Sequence, residues 1–513
     1  MVLPPKPGQL STPTAEIPQA INKALDTPGD DNPAKSSSIS VVELPKLGGV
    51  SVCRGSDGHA YILIVEGNNA RVLRIGGKQA NLFLLRLGHE SGRHLKANDI
   101  RDLNDQLTAY AELKGHSCDV WYRVAPYQGG VELDLGDNAH TRIRVTPGKV
   151  DVVTEGSETF FYRTPGMLPF VMPTVMGDLD LLDKYLNLHP AEIVLLQAWL
   201  CYPLRHPTVP TANFIFLVLL GDQGSGKSTL CRLIQFLIDP NVIGVQTFPR
   251  NIKDFVIAGQ NAHVLFFDNM RVIKAIMADI LCIASTGGAT TTRQLYTDAE
   301  QHIHRLHVAL VLNGIHNIID QPDLAQRCLP LHLQSLGETD RQSESEFMRD
   351  FQADLPAIFR GLLDLSAKIL QQLPSVQVTN PERMVDFVRV LAAMEKVDDV
   401  PAGIYQAEYS DVLNRSMLES LQENPLAAAM LSFVADEVED SWTDTPSELL
   451  YKLNCYVGHR AQYSQEWPQN PTALSIRLKS LRVALRRQGI RLEFTRGKKR
   501  QITVTRMEGF CHE

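Results

Sequence analysis

At 513 residues, with 44% hydrophobic and 21% charged residues, the chain has room for about three soluble domains, and its longest apolar run, Phe214 to Leu220, is far too short to cross a bilayer. Eight cysteines are scattered without a CxxC pair, which argues against a disulfide framework or a zinc site and fits a reducing compartment. The net charge of −8 hides a division: between Pro471 and Arg506 eleven Lys or Arg stand against one acid, Glu493, for +10, leaving −18 on the remainder and implying a local polyanion partner.

Residues 1–45 hold eight of the 29 prolines and the stretch GDDNPAKSSSIS, a composition that cannot bury a core, and read as a flexible leader. The first residues show neither an apolar signal core nor a basic targeting helix, which sets the expectation of a cytoplasmic protein with no membrane partner. From 46 to 185 a mixed α+β domain is expected. HAYILIVEG and ARVLRI pattern as strands, QANLFLLRLG and NDIRDLNDQLTAYAELKG as helices, and CDVWYRVAP, GVELDLG, TRIRVTP, KVDVVTEG and TFFYRTP as short strands cut by turns. No motif in this domain translates into chemistry, and its plain reading is structural or oligomerising.

From 186 to 336 helices alternate with apolar runs of strand length, NFIFLVLLG, HVLFFDN and HVALVLNG, the signature of a parallel sheet covered on both faces. Helix then follows helix from 337 to 424, and a smaller unit runs from 425 to 507.

Residues 221–228, GDQGSGKS, fit G-x-x-x-x-G-K-[ST] between a buried strand and the apparent helix KSTLCRLIQFLI. Gly221, Gly224 and Gly226 let the loop, Ser225 included, wrap phosphates with backbone N–H groups, and the helix start adds the positive end of its dipole. Lys227 is placed to reach the β and γ phosphates of ATP, the Ser228 hydroxyl to ligate Mg2+, and Thr229 to border the same nucleotide. Asp268 ends HVLFFDN, where a carboxylate holds Mg2+ through water. Asn269 follows where many such ATPases place a second acid; an amide takes no proton, so the general base is unassigned. Asn313 ends HVALVLNG, where a polar side chain orients the attacking water or senses the γ phosphate, the competing reading being an Asn-Gly turn. Arg327 precedes a strand-like segment; at a subunit edge it enters a neighbour's site as a finger, and its competing reading is a surface salt bridge.

Together these residues resemble the superfamily 3 helicases, a compact branch of the AAA+ ATPases, over roughly 190–336. More closely, TGGATTTRQLYTDAEQH with DLAQRCLPLHL is similar to the ATP-binding replication proteins of prophages and integrated elements. The resemblance implies an AAA+ P-loop core and a ring-forming homo-oligomer, a hexamer, that couples ATP hydrolysis to DNA strand movement. It also implies a β-hairpin over about 290–306 that grips DNA phosphates in a central channel, with Tyr296 near its tip and Arg293 and Arg305 on its arms. The tip lacks the basic residue usual in that family, so grip falls to Arg293, Tyr296, His302, His304 or Arg305.

In the last unit Thr445 and Glu448 stand at capping-box spacing with Pro446 opening the helix, and NPTALSIRLKSLRVALRRQGI opens on Asn-Pro and stops at Gly489. RLEFTRGKKRQITVTR reads as two strands around a Gly-Lys-Lys turn, and helices followed by a basic hairpin is the order of a winged helix. Arg477, Lys479, Arg482, Arg486 and Arg487 on the third helix, with Arg496, Lys498, Lys499 and Arg500 on the hairpin, form a cluster suited to DNA phosphates.

The expected whole is an α/β chain: a P-loop core with a parallel sheet, a mixed α+β domain before it, and a helical region and winged helix after it. Its expected work is ATP- and Mg2+-dependent movement of single-stranded or forked DNA, with priming left to a separate primase or other replication protein. Two other readings stay open. One is an ATPase switch or loader that assembles another protein without unwinding, which Asn269 favours; the other is a DNA-binding initiator whose core serves ATP-dependent assembly.

Overall fold

The computed structural model describes residues 49–66, 69–154, 159–206, 212–270, 273–293, 301–315, 319, 321–337, 343–379, 381–464, 467–496 and 500–507. The expected leader, 1–45, lies outside them. The chain divides into two compact units, Met1–Phe170 and Val171–Glu513.

In the first unit strands β1 (Val50–Gly55), β2 (Ala60–Glu66) and β3 (Asn69–Arg74) form an antiparallel meander, followed by helices α1 (Lys78–Glu90) and α2 (Ala97–Lys114). Strand alternation explains the layering. Val50, Val52, Ile62, Ile64 and Leu73 pack on Leu84, Leu87, Ile100, Leu103 and Leu107 of the helices. The other face, Cys53, Tyr61, Leu63 and Val72, is closed by Val120 and Tyr162. Strand β4 (His116–Cys118) adds parallel to β1, and β5 (Val120–Trp121) follows. A second antiparallel meander comprises β6 (Val124–Tyr127), β7 (Gly130–Asp134), β8 (Arg142–Thr146) and β9 (Lys149–Val153), and β10 (Phe160–Phe161) pairs with β5.

The cysteine reading needs one correction: Cys53 and Cys118 form a disulfide, with Cα atoms 6.2 Å apart. The pair is 65 residues apart in sequence, and only the parallel pairing of β1 with β4, which sets Cys53 beside His116 and Gly55 beside Cys118, brings it together.

In the second unit, residues 171–178 run along a later helix, with Thr174 N bonded to Pro356 O and Asp178 N to Ala357 O. Helix α3 (Pro190–Arg205) opens with proline at its first position, where no N–H is missed, and anchors through Trp199 Nε1 to Ile215 O at 2.9 Å. The core alternates β11 (Phe216–Leu220), α4 (Lys227–Ile238), β12 (Gln246–Thr247), α5 (Ile252–Gly259), β13 (Val264–Met270) and α6 (Ala275–Thr286). A hairpin of β14 (Ala289–Arg293) and β15 (Gln301–Arg305) precedes β16 (Ala309–Gly314), α7 (Pro322–Ala325) and β17 (Cys328–His332).

The five core strands are parallel in the order β12-β13-β16-β11-β17. Both faces are covered, which is why FLVLL and the whole of β16 are buried instead of alternating. Helices α8 (Glu344–Gln372), α9 (Val385–Val397) and α10 (Ile404–Glu423) follow as the helical run expected after 337.

The last segment holds α11 (Pro425–Glu437), β18 (Ser441–Asp444), α12 (Pro446–Asn454), the short α13 (His459–Gln462), α14 (Pro471–Arg487), β19 (Ile490–Arg496) and β20 (Arg500–Arg506). Thr445 Oγ1 accepts from Glu448 N and Asn470 Oδ1 from Ala473 N, so both helix starts are capped as their sequences dictate. Phe433, Leu449, Trp467, Leu474, Leu485, Ile502 and Val504 share one core. Sequence patterning missed β18, which pairs with β20 as a third strand.

Candidate functional site

The loop between β11 and α4 emerges from the carboxyl end of the parallel sheet, the end at which ligands of such sheets bind. Gly221 has φ +143°, and a Cβ there would lie 2.8 Å from Leu333 O and 3.0 Å from Ser225 Oγ, so no side chain fits. Gly226 caps α4 with φ +90°, a left-handed conformation, and supplies no side-chain hydrogen bond to the helix. The first-turn amides of α4 therefore have no side-chain acceptor at the cap and keep their dipole end for an anion. Gly224, also left-handed at φ +86°, is exposed, Ser225 is buried, and Ser228 and Thr229 are half-buried at the helix start.

Lys227 is 8% exposed. Its Nζ donates to Gly221 O at 2.8 Å and Asp222 O at 2.6 Å and lies 3.4 Å from Ser225 Oγ, so the ammonium sits inside the loop. Burial pulls its pKa down, while the charges of Asp222 and Asp268 hold the ammonium form. An anion arriving here meets one buried cation and a helix start.

Strands β13 and β16 pair in register through Phe267 and Leu312, then resume at Met270 and Gly314, so Asp268 and Asn269 together oppose Asn313. This bulge aims the two residues differently. Asp268 Oδ1 accepts from Asn269 N at 2.6 Å, and Asn269 adopts φ +56°, a left-handed conformation that asparagine tolerates better than most residues. The amide at the expected second-acid position thus has a backbone reason. Asn313 is 2% exposed, with Nδ2 3.5 Å from Ser228 Oγ and 3.7 Å from Cys231 Sγ. Lys227, Ser228, Asp268 and Asn313, spread over 86 positions, are gathered at the carboxyl end of the sheet.

The residues behind the loop went unseen in the sequence. Asn187 donates from Nδ2 to Ser225 O at 3.3 Å and to Gln334 O, and Ser335 Oγ donates to Asp222 Oδ2 at 2.7 Å. His332, opposite Leu220 in the β11–β17 register, donates from its backbone N to Glu192 and pairs by Nε2 with Glu419 at 2.8 Å. Glu192 is buried, which pushes its pKa up, against the opposing pull of Arg415, with which it pairs. No spacing rule connects these residues to the loop; only the sheet register does.

Arg327, expected at a subunit edge, is 9% exposed, with Nε 3.4 Å from Asp323 Oδ2. Arg383 bonds the same carboxylate and Gln326 Oε1. Burial acts upward on the Asp323 pKa but is outweighed by hydrogen bonds from Cys282 and Arg383 and by the Arg327 charge, for a net fall. Because Phe216 pairs with Cys328 and Leu220 with His332, Arg327 stands at the amino-terminal end of β17, a strand length from the loop of its own chain.

The backbone of the expected hairpin is present: Arg293 pairs with Gln301 and Ala289 with Arg305. Its tip, residues 294–300 with Tyr296, lies outside the described residues. On α14, Lys479, Arg482 and Arg486 are exposed and fall on one face by their three- and four-residue spacing. Lys479 Nζ also lies 5.4 Å from the Phe494 ring centre. Arg477 is half-buried and Arg500 exposed. Arg487 departs from the cluster: it pairs with Glu382, and its Nη1 lies 3.4 Å from Asn414 Oδ1, so it braces the terminal segment against the helical region. Arg496 is placed by its backbone on β19, and Lys498 and Lys499 lie outside the described residues.

Among the described residues no helix is long and apolar enough to cross a membrane. Residues 179–414 match the family described as actinomycete integrative conjugative element replication protein, and residues 426–509 match the AICE RepA C-terminal domain. No curated protein matches the chain. Among solved structures, SCCmec type IV Cch, described as an active helicase, is similar at 12% identity over 90% of this chain and 93% of that one, with a TM-score of 0.43. The apo C-terminal region of NrS-1 is similar at 10% identity over 92% of this chain and 100% of that one, with a TM-score of 0.37. The JCV helicase covers 46% of this chain and 69% of its own at 12% identity, with a TM-score of 0.21.

Proposed function

We propose that this chain, which belongs to the replication-protein family of actinomycete integrative conjugative elements, is an ATP-dependent DNA helicase or translocase that works as a ring. The observation that supports this most is the meeting of Lys227, Ser228, Asp268 and Asn313 at the carboxyl end of one parallel sheet. The fit to a nucleoside triphosphate rests on the uncapped start of α4, the buried Lys227 and the cradle at Gly221 that a Cβ would fill.

In this reading the amides at Gly221, Gly224, Ser225 and Gly226 bind the phosphates, Lys227 draws charge from the β and γ oxygens, and Thr229 borders the nucleotide. Ser228 and Asp268 would hold Mg2+, which supplies charge neutralisation on the phosphate oxygens. Asn313 orients the attacking water. Arg327 cannot serve its own chain from the far end of the sheet; in an AAA+ ring, probed best as a hexamer, it acts on a neighbour's site once released from Asp323. The 289–305 hairpin moves along a DNA strand, and the terminal segment, read as a winged helix, presents Lys479, Arg482 and Arg486 to DNA phosphates.

Asn269 favours a second reading. An amide where a second acid would polarise water suits slow hydrolysis, and hence a switch or loader that assembles another replication protein without unwinding. The ATPase rate of the purified chain with and without single-stranded DNA, beside Lys227→Ala, separates the two. Several-fold stimulation lost in the variant supports the motor; ATP binding with hydrolysis indifferent to DNA removes it in favour of the switch.

A further inference from the structure

The first unit contains a cavity of about 360 Å³ lined by Arg71, Gln79, His140, Arg142, Phe161 and Arg163 among others, with no carboxylate among the described residues of its lining. Three stretches of chain build it. Strand β3 supplies Arg71 on its exposed side and runs through Gly76, at φ +81°, and Gly77 into α1, whose second residue is Gln79. The loop before β8 supplies His140, and β8 itself Arg142. The bridge of Val72 with Tyr162 sets β10 and Arg163 alongside.

Each part favours an anion. The 13-residue α1 follows Gly77 with no side-chain cap, and its second residue, Gln79, lines the cavity, which brings the positive end of the helix dipole near it. Arg142 is 4% exposed and held over the Phe161 ring at 4.9 Å, and its buried Nε finds no acceptor among the described residues. Buried guanidinium N–H groups without acceptors are costly, and a phosphate or carboxylate oxygen is what satisfies them. Asp134, behind the cavity, bonds both Arg142 and Arg163, fixing their forks in place. Asp137 is engaged by the Thr141 hydroxyl and amide, and Glu132 by Arg144.

We infer that this cavity binds the phosphate ester of a nucleotide, the anion resting against Arg71, Arg142 and Arg163 at the start of α1. The volume is that of a site for one nucleotide unit, at the small end of ligand pockets. The site is separate from the loop at Gly221 and holds whether or not the chain is a motor. Its phosphate comes either from a free nucleotide or from the backbone of a DNA strand.

Calorimetry on the full chain carrying Lys227→Ala, which silences the loop at Gly221, tests the inference with deoxyadenosine monophosphate, deoxyadenosine and the dinucleotide d(ApA) as probes. The monophosphate is expected to bind once per chain, deoxyadenosine not at all, and Arg71→Ala to weaken the monophosphate at least tenfold. An Arg71-sensitive preference for d(ApA) assigns the site to a strand, and the reverse preference to a free nucleotide. Arg142→Gln should abolish binding if it folds by circular dichroism; Arg71 is exposed, so its variant decides the matter if Arg142→Gln does not fold. Equal binding of deoxyadenosine, no binding of either phosphate probe at millimolar concentration, or affinity unchanged by Arg71→Ala overturns the inference.

Discussion

Asn313 Nδ2 lies 3.5 Å from Ser228 Oγ, joining the amide that closes one central strand to the hydroxyl that opens the helix behind the phosphate loop. Asn313 lies on β16 and Ser228 on α4, the helix that follows β11, and the register of these adjacent parallel strands, Leu219 beside Asn313, is fixed by buried apolar side chains. The amide is therefore held by packing.

That relationship makes Asn313 a sharper probe of turnover than of binding. Asn313→Ala leaves the loop and Lys227 in place but removes the group that, in the proposed function, positions water, and misplacing a reactant costs on the order of 100-fold in rate. The expected result is kcat for ATP down by about two orders of magnitude with KM changed only a few-fold. Steady-state ATPase kinetics check it, and a variant with normal kcat would remove Asn313 from the site.

Asn187 holds the loop from behind through Ser225 O and Gln334 O. Asn187→Ala loses these bonds, a stability cost of about 1 kcal/mol, and frees the loop to sample geometries that do not match phosphate. The expected signature is the opposite of the Asn313 variant: KM for ATP raised several-fold with kcat little changed. A thermal melt beside the kinetics shows whether the effect is confined to the loop.

These two residues mark where sequence reading works and where it stops. The loop at 221–228 could be placed between strand and helix because its residue types stand at fixed local spacing, and Asp268 and Asn313 could be placed near strand ends because each follows a buried apolar run. Asn187 is not, because what makes it relevant is the hydrogen bond from its side chain to Ser225, 38 residues away, and a lone asparagine before a helix looks like any other. Arg327 shows the complementary limit. Its strand context was readable, its burial against Asp323 was not, because the partner Arg383 comes from a helical region 56 positions on. The Cys53–Cys118 pairing was hidden for the same reason, being the product of a parallel strand pair whose partners are remote in sequence.

The basic residues of α14 separate into exposed ones and one engaged within the chain. Arg482 and Arg486 are exposed, whereas Arg487 is spent on Glu382. If the face binds phosphates, Arg482→Ala and Arg486→Ala each lower the slope of log affinity against log salt by about one, uniformly across DNA sequences. Arg487→Ala is expected to leave that slope alone and to lower stability instead, by about 1 kcal/mol, since the pair is half-buried. Fluorescence anisotropy at several salt concentrations and urea melts read the two effects, and equal slope changes in all three variants would return Arg487 to the DNA face.

His206 makes stability depend on pH. It closes α3, is 5% exposed, stacks on Phe214 with ring centres 3.7 Å apart, and donates from Nε2 to Ala212 O at 2.6 Å. Burial, with the nearby His307 adding to it, pulls its pKa down to about 3. In the unfolded chain the ring titrates near 6.5, so below that pH the unfolded state binds a proton the folded state refuses. The stabilisation is complete above pH 6.5 and is lost progressively as the pH falls toward 3, which amounts to about 2 kcal/mol between pH 7 and pH 5. His307, whose pKa is also lowered by burial, adds in the same direction. His206→Phe keeps a ring on Phe214 but has nothing to protonate, so it should be less stable at pH 7 for want of the bond to Ala212 and lose less on acidification. Urea midpoints of both proteins at pH 7 and 5 measure this, and parallel losses in the two would place the acid sensitivity elsewhere in the second unit.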